Sequence, residues 1–356
     1  MKKFKYIIIF IILLLITNYI FTKKMRYPGY SKGPLYGKNL YIPFLIYYNF
    51  PGSNAQSGKK FDFNYHVSFY YINDFFIQEY KKDINGDYDV NIGRDYESLV
   101  FESGISFFLL KKLQVGIDLR LISYYGGFLD SVVENFHYTF GLPNAGRDFV
   151  DKNQIEIDIE NNNNVNLYLN HATVSFGDID TWIKYTFFEK KWISLAMLGA
   201  FKIPSGNISQ ISGSGFPDFA YGILADFKPV WILSFYLQAG IVFPFDFFIV
   251  SIPSNPYPMF NGLAGIELNP FSFFSLIVQF NFKSSPLRSN YPHWSSVYKS
   301  ADYLSLPQTD LLVGLVFRYK DFRWQIYFEE DAFTNAGTDF ILNISFSHTL
   351  HLRNIY

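Results

Sequence analysis

The chain has 356 residues, of which 21% are aromatic and only 17% charged, and its formal net charge is -1. This balance excludes the basic surface that nucleic-acid binding requires, and the absence of cysteine excludes disulfides, cysteine-ligated zinc and cysteine nucleophiles. A mean hydropathy of +0.06 is too low for a polytopic helical membrane protein. It suits strands that alternate lipid-facing and water-facing side chains.

The N-terminus has the features of an export signal. Three lysines lie within the first five residues, and an apolar stretch follows from Tyr6 to Ile16. No pair of small residues marks a cleavage site, so an uncleaved anchor is the alternative to a signal peptide over residues 1–22. In either case we expect the rest of the chain to leave the cytoplasm.

Beyond residue 60 the apolar residues recur at every second position. Phe61, Phe63, Tyr65 and Val67 alternate with polar residues, which places them on one face of a strand. Further segments of this kind bring the number of predicted strands to 12. They lie near 61–71, 98–107, 113–121, 179–188, 192–203, 217–227, 231–243, 258–268, 271–283, 310–319, 322–331 and 338–350.

The connections between these strands alternate between short and long. Turns such as Lys320-Asp321 and Asn269-Pro270 are short, whereas 204–216, 244–257 and 284–309 are long. Such asymmetry is typical of outer-membrane barrels, with short periplasmic turns and long external loops. We therefore predict an all-β fold, a transmembrane antiparallel β-barrel of the outer-membrane type with about 12 strands over residues 61–356.

Two regions do not follow the strand pattern. Residues 23–60 form an extra strand, a periplasmic segment or a plug inside the lumen. Residues 125–178 form one long loop, with a short helix near 128–137 and a hairpin over 154–169. If 155–160 and 165–175 cross the membrane, the barrel has 14 strands.

The parity of the strands assigns each side chain to lipid or lumen. Leu119 and Phe280 face lipid, whereas Arg120 and Gln279 face the lumen. Because the lumen-facing charges have both signs, we expect them to pair rather than to impose strong ion selectivity. The predicted lumen-lining residues are Glu102, Asp118, Arg120, Lys184, Lys202, Asp218, Glu267, Arg318 and Arg323.

The sequence offers little evidence for catalysis, and we predict no enzyme activity, cofactor or metal. His66 and Ser68 have the spacing of the histidine and nucleophile in outer-membrane lipases. Those enzymes place the pair on the lipid-facing side, whereas here both residues fall on the polar, inward face. Residues that line the lumen are the simpler interpretation.

A motif in the long loop resembles a known family. It combines Gly126-Gly127-Phe128-Leu129-Asp130 with Glu134-Asn135-Phe136-His137, Phe140-Gly141-Leu142-Pro143 and Gly146-Arg147. This resembles the signature loop of an uncharacterised family of exported, β-barrel-like proteins of Gram-negative-type bacteria, which carry a domain of unknown function. Further matches are Gly33-Pro34-Leu35, Gly177-Asp178, Lys202 to Gly206, Gly213-Ser214-Gly215 and Asp218. The resemblance implies a barrel fold and an outer-membrane location but no activity.

Within the signature loop, Gly126, Gly127, Asp130, Glu134, His137 and Arg147 are the candidate functional residues. Phe128, Val132 and Phe136 share one helix face and need an apolar partner. We therefore expect the segment to fold over or into the barrel mouth as a lid, with Asp130 or Glu134 paired to Arg147.

Three alternative functions are consistent with these sequence features. The first is a narrow or gated outer-membrane channel for a small solute or hydrophobic compound. The second is a structural or surface-binding barrel, and the third is a membrane hydrolase. The expected partners are outer-membrane lipid and the barrel assembly machinery, which recognises an apolar-alternating last strand; nucleic acid is not expected, and the sequence does not indicate the oligomeric state.

Overall fold

The computed structural model describes residues 31–42, 44–82, 88–141, 147, 150–161, 165–245, 257–286, 307–331 and 340–352. The predicted signal peptide or anchor lies outside these residues. Among the residues described, no helix is both long and apolar enough to cross a bilayer.

Fifteen strands and one α-helix are present in the described part of the chain. The helix α1 covers Asp130–Phe140. The strands are β1 Asp62–Lys82, β2 Tyr88–Leu110, β3 Leu113–Tyr125, β4 Glu156–Asn161, β5 Val165–Leu169, β6 Thr173–Phe176, β7 Ile179–Lys190, β8 Ile193–Ile203, β9 Asp218–Val230, β10 Leu233–Pro244, β11 Met259–Phe271, β12 Phe274–Lys283, β13 Gln308–Tyr319, β14 Phe322–Asp331 and β15 Phe340–His351.

Twelve of these strands form a closed antiparallel barrel, which confirms the predicted fold class. Neighbours in sequence pair from β7 to β15, and β3 pairs with β7 on one side and β2 on the other. The first and last strands join the barrel, with Val67 of β1 opposite Phe346 of β15. Closure pairs both edges of the twelve-stranded sheet, which removes the exposed edges that can template aggregation.

The three short strands do not cross the membrane. Strand β4 pairs with β2 only at Arg94 and Asp95, and β5 pairs with β4. Strand β6 pairs with β3 at its long-loop end, from Leu121 to Tyr124. It precedes β7 on the same edge of β3, and Gly177 and Asp178 separate the two strands. The barrel therefore has 12 strands, and the alternative of 14 is wrong.

Side chains alternate between lipid and lumen as the parity predicts. Leu119 is 48% exposed and Phe280 40% exposed, whereas Arg120 and Gln279 are buried in the interior. Exposed aromatic residues lie beside the short turns, where barrels carry an aromatic girdle. Examples are Trp192, Phe273 and Tyr319.

The short turns are at one end of the barrel, and one of them differs from its prediction. Strand β11 continues through Asn269 and Pro270, and the turn is at Ser272-Phe273. The register shifts between Leu268 and Phe271, so Pro270 lies at an irregularity of the ladder, where its missing N–H is tolerated.

The lumen is filled by the N-terminal segment, here called the plug (residues 31–42 and 44–58). Its ascending arm begins near the short-turn end, where the N–H of Lys32 donates to Glu267. It rises to a 3₁₀ turn at Phe44–Ile46, and its descending arm returns to the short-turn end, where the N–H of Gly58 donates to the carbonyl of Lys111. Most plug side chains between Leu35 and Phe50 are buried.

The long-loop end of the lumen is covered by parts of two loops. Ile157 of β4, Leu169 of β5 and Ile211 are buried in one apolar cluster with plug residues. The hydroxyl of Tyr124, an inward residue of β3, donates to the carbonyl of Ile211 at 2.9 Å. The mouth is therefore closed by these residues together with the plug.

Helix α1 does not cover the mouth, so the predicted lid is wrong for this segment. The N–H groups of Phe128 and Leu129 donate to Glu97 at 2.9 and 2.5 Å, and Glu97 is at an outward position of β2. The ring of Phe128 contacts that of Tyr71, which also faces outward. The apolar partner that the helix needs is thus the outer face of the barrel wall, extended above the membrane by β1 and β2.

We predict that a charge on the lipid face of β3 impairs folding. Leu119→Arg should lower the free energy of unfolding by about 2–4 kcal/mol, because a guanidinium near mid-membrane lacks hydration. Urea titration in lipid vesicles, followed by heat-modifiable gel mobility, measures this loss. The control Leu119→Ile should behave as wild type, and equal stability of both variants would contradict the assignment of this face.

Candidate functional site: the plugged lumen

A cluster of buried charges fixes the middle of the plug. The Nζ atom of Lys38 lies 2.7 Å from Oε2 of Glu102, 3.5 Å from Oδ2 of Asp180 and 3.6 Å from Oδ2 of Asp118. Arg120 lies 3.3 Å from Asp180 and also donates to the carbonyl of Leu45 in the plug. We call these five charged residues the central cluster.

The central cluster keeps Lys38 protonated. Burial acts to lower the pKa of Lys38, but the carboxylates of Glu102, Asp118 and Asp180 outweigh burial and raise it. An ion pair withdrawn from water contributes little net stability, yet removing one partner leaves the other charge buried without compensation. The cluster therefore specifies where the plug sits.

A second cluster holds the top of the plug at Lys202. Its Nζ atom donates to the carbonyl of Ile46 at 2.6 Å and to Asp178 at 2.7 Å. Asp218 lies 3.3 Å from the same ammonium and accepts the N–H of Tyr48. Gly177-Asp178, Lys202, Ser214 and Asp218 come from separate family-like motifs, and the fold brings them together around one plug carbonyl.

At the short-turn end, the barrel wall binds the plug backbone. Glu267 accepts the N–H of Lys32 at 2.8 Å, and Arg323 donates to the carbonyls of Lys32 and Pro34 at 2.9 and 2.8 Å. The Lys32 ammonium donates to Ser275 at 2.7 Å. Burial lowers the pKa of Lys32 to about 8, so its ammonium is still mainly charged at neutral pH.

The descending arm is bound in the same way. Lys184 donates to the carbonyl of Asn54 at 3.0 Å, and Asp226 accepts the N–H of Ala55 at 3.0 Å. The Thr186 hydroxyl donates to the carbonyl of Ala55. These side chains satisfy backbone groups that a plug without regular secondary structure could not pair by itself.

The predicted lumen-lining residues therefore contact the plug. Eight of the nine do so: Glu102, Asp118, Arg120, Lys184, Lys202, Asp218, Glu267 and Arg323. Arg318 is exposed and lines the open vestibule described next. The sequence pattern indicated which residues face inward, but not that most of them bind another part of the chain.

An open vestibule of about 580 Å³ remains at the short-turn end between the plug and the strands β1 to β3, β7, β8 and β13 to β15. Its floor includes Tyr36 and His66, whose rings are 4.6 Å apart. Cationic side chains outnumber anionic ones among the described residues that line it. The cationic residues are Lys32, Lys59, Lys184, Arg318, Lys320 and Arg323, and the anionic ones are Asp62 and Asp321. The vestibule thus has an excess of positively charged side chains.

The candidate residues of the signature loop form a separate structure outside the lumen. Arg147 lies 2.9 Å from Asp130 and donates to Asn73 at 2.7 Å, which ties the loop to an outward position of β1. Glu134 pairs with Lys152, and His137 borders an apolar groove with Phe328 and Phe340. These contacts position α1 on the barrel wall.

Close contacts explain why the loop has two adjacent glycines. Gly127 has φ of +73°, and a Cβ there would lie 1.8 Å from the Glu97 carboxyl carbon that caps α1. A Cβ on Gly126 would lie 2.0 Å from the carbonyl oxygen of Asn153. The two glycines therefore let the backbone of the loop pass close to Glu97 of β2 and to Asn153.

Sequence analysis did not identify the plug residues that carry the site. Lys38 is the only charged residue between Pro34 and Phe50, and a lone lysine in an apolar segment needs a counter-ion when buried. That signal was available from the sequence. The contacts of Tyr36 and Asn49 depend on how the plug turns at Phe44–Ile46, which no local pattern predicts.

We predict that Lys38→Met destabilises the protein by about 3–5 kcal/mol at neutral pH, because three carboxylates then face only Arg120. Urea titration in vesicles measures the loss, with the exposed Lys60→Met as control. A loss below about 1 kcal/mol, or one equal to that of Lys60→Met, would show that the central cluster does not hold the plug.

Comparison with known proteins agrees with this architecture. The chain aligns over 85% of its length with 99% of an outer-membrane channel from Pseudomonas putida F1, at 10% identity and a TM-score of 0.50. The Ralstonia pickettii toluene transporter TbuX (9% identity, TM-score 0.41, 83% of this chain and 90% of that chain) and the KdgM porin (7%, 0.41, 82% and 99%) are more distant. At such identity the first likeness shows the fold alone.

Curated protein sequences contain no match to this chain. A family model described as "Protein of unknown function (DUF3187)" matches residues 88–350. The match extends through the last third of the barrel, where the sequence motifs had given only a strand pattern, and it begins after the plug. The chain therefore belongs to this family of unknown function.

Proposed function

We propose that the protein is a gated channel of the outer membrane, closed by its own N-terminal plug. The observation that carries this proposal is the way in which the plug is held. It has no regular strand pairing with the wall, and polar side chains of the barrel bind its backbone at Lys32, Ile46, Tyr48, Asn54 and Ala55. Such contacts can be exchanged for water without disturbing the barrel ladder.

The dimensions of the barrel support a narrow pathway. Eight-stranded barrels are filled by their own side chains, whereas barrels of 16 strands leave an aqueous channel. A 12-stranded barrel lies between these limits, and here the plug occupies the space that would otherwise conduct. The Pseudomonas putida protein with the same fold is a channel by name, which is consistent with this function.

The vestibule favours small anionic solutes at the short-turn end. Its lining has six lysine and arginine side chains and two aspartates, and a cleft of one sign concentrates ions of the opposite sign. The side chains of Lys32 in the plug and Arg323 in the wall belong both to this lining and to the contacts between plug and wall, since the Lys32 ammonium donates to Ser275 and Arg323 donates to the carbonyl of Lys32. An anion that binds them competes with the contacts that hold the plug.

We predict that removing the plug opens the barrel. In planar bilayers the intact protein should be closed most of the time, whereas a variant without residues 31–57 should conduct steadily. A folded deletion variant that conducts no more than the intact protein would contradict a gated channel.

A cross-link tests the same proposal without removing the plug. The chain has no native cysteine, so Gly37→Cys with Leu312→Cys introduces only the intended pair. A Cβ on Gly37 would lie 2.5 Å from Cδ2 of Leu312, which places the two Cβ atoms within about 5 Å and near disulfide range. Oxidation should suppress openings and reduction should restore them, with each single cysteine variant as control. Openings that persist in the oxidised protein would contradict gating by the plug.

A further inference from the structure

Three side chains converge on one point at the floor of the vestibule. The Nε2 atom of His66 on β1 lies 3.5 Å from Oε1 of Glu102 on β2 and 3.7 Å from Oδ1 of Asp118 on β3. All three atoms lie within 4.8 Å of one another. Each is buried and has no hydrogen-bond partner among the residues described. Buried polar atoms are normally satisfied, so three unsatisfied atoms that face each other indicate a missing partner.

The separations between Nε2 of His66 and the two carboxylate oxygens favour a bound metal ion over a direct hydrogen bond. A protonated histidine paired with a carboxylate normally places nitrogen and oxygen about 2.7–2.9 Å apart. Here both separations are longer than a hydrogen bond. A tetrahedron built on zinc bonds of about 2.0–2.2 Å has edges of about 3.3–3.6 Å; the separation of 3.5 Å lies within this range and that of 3.7 Å just above it.

The remaining oxygens of the two carboxylates are already held. Lys38 donates to Oε2 of Glu102 at 2.7 Å, and the hydroxyl of Tyr36 donates to Oδ2 of Asp118 at 3.3 Å. Hydrogen bonds of this kind orient the ligands of metal sites. They leave Oε1 and Oδ1 directed at His66.

The backbone leaves room for this arrangement. Gly104 on β2 lies beneath the site, and a Cβ there would lie 2.1 Å from both Oδ1 of Asp118 and Cε1 of His66. Any other residue would displace two of the three converging groups. The charge also favours a cation, because the carboxylates of Glu102, Asp118 and Asp180 outnumber the cationic side chains of Lys38 and Arg120.

We propose that His66, Glu102 and Asp118 bind one divalent transition-metal ion, with zinc as the best match. One nitrogen and two carboxylate oxygens suit zinc better than calcium or magnesium, which prefer oxygen ligands alone. The side chain of His66 is 20% exposed and lines the vestibule, so an ion can enter from that side and a water molecule can complete the tetrahedron. The site joins β1, β2 and β3 directly and reaches the plug through Tyr36 and Lys38.

Zinc titration of the purified full chain, folded in detergent and stripped with chelator, tests the proposal. Isothermal calorimetry should show one Zn²⁺ per chain, and Co²⁺ should give the visible absorption of a tetrahedral site. His66→Ala should weaken Zn²⁺ binding by more than about 100-fold. Gly104→Ala, which keeps all three ligands but occupies their space, should also weaken it.

His351→Ala is the matched control. His351 lines the same vestibule, but its two ring nitrogens already contact Asp62 and Asp321 at 2.7 and 3.2 Å, so its loss should leave binding unchanged. Heat-modifiable mobility shows whether each variant folds, and the binding measurement does not depend on whether the barrel conducts. Absence of stoichiometric binding, binding unaffected by His66→Ala, or equal loss in His351→Ala would each overturn the proposal.

Discussion

The contact between Lys38 and the carboxylates of Glu102, Asp118 and Asp180 is the constraint on which the lumen depends. A barrel of this width must fill its interior with side chains, water or another segment. Here the apolar part of the plug, between Pro34 and Phe50, has one charged residue, Lys38, and that ammonium can be buried only where carboxylates meet it. The charge fixes the height of the plug, while the apolar residues around it supply the packing.

The same requirement explains why the lumen has charges of both signs. Glu102, Lys202, Asp218 and Glu267 each face a plug donor or acceptor, so the wall is complementary to one segment of its own chain. Below the plug this complementarity ends. The vestibule retains an excess of cationic side chains, and this difference separates the closed part of the lumen from the part that solutes reach first.

The sequence predicts the barrel closely because period-two alternation reports directly which side chains face lipid. The inward assignment of Arg120 and the outward assignment of Leu119 follow from parity alone. The plug is only one of three alternatives that the sequence leaves open for residues 23–60, since its path depends on contacts with β2, β9 and β11 that are distant in sequence. The lid prediction failed for a related reason. An apolar helix face indicates that a partner exists, but Glu97, at an outward position of β2, decides on which side of the wall that partner lies.

The proposed gating requires the plug to move as a unit inside a barrel that stays folded. Hydrogen exchange of the protein in vesicles tests this most directly, because it separates partial opening from global unfolding. The amides of Tyr48 and Ala55, which donate to side chains of the wall, should exchange faster than strand amides such as that of Phe280, yet more slowly than in an unstructured peptide. Exchange of the plug only together with the strands would contradict the account.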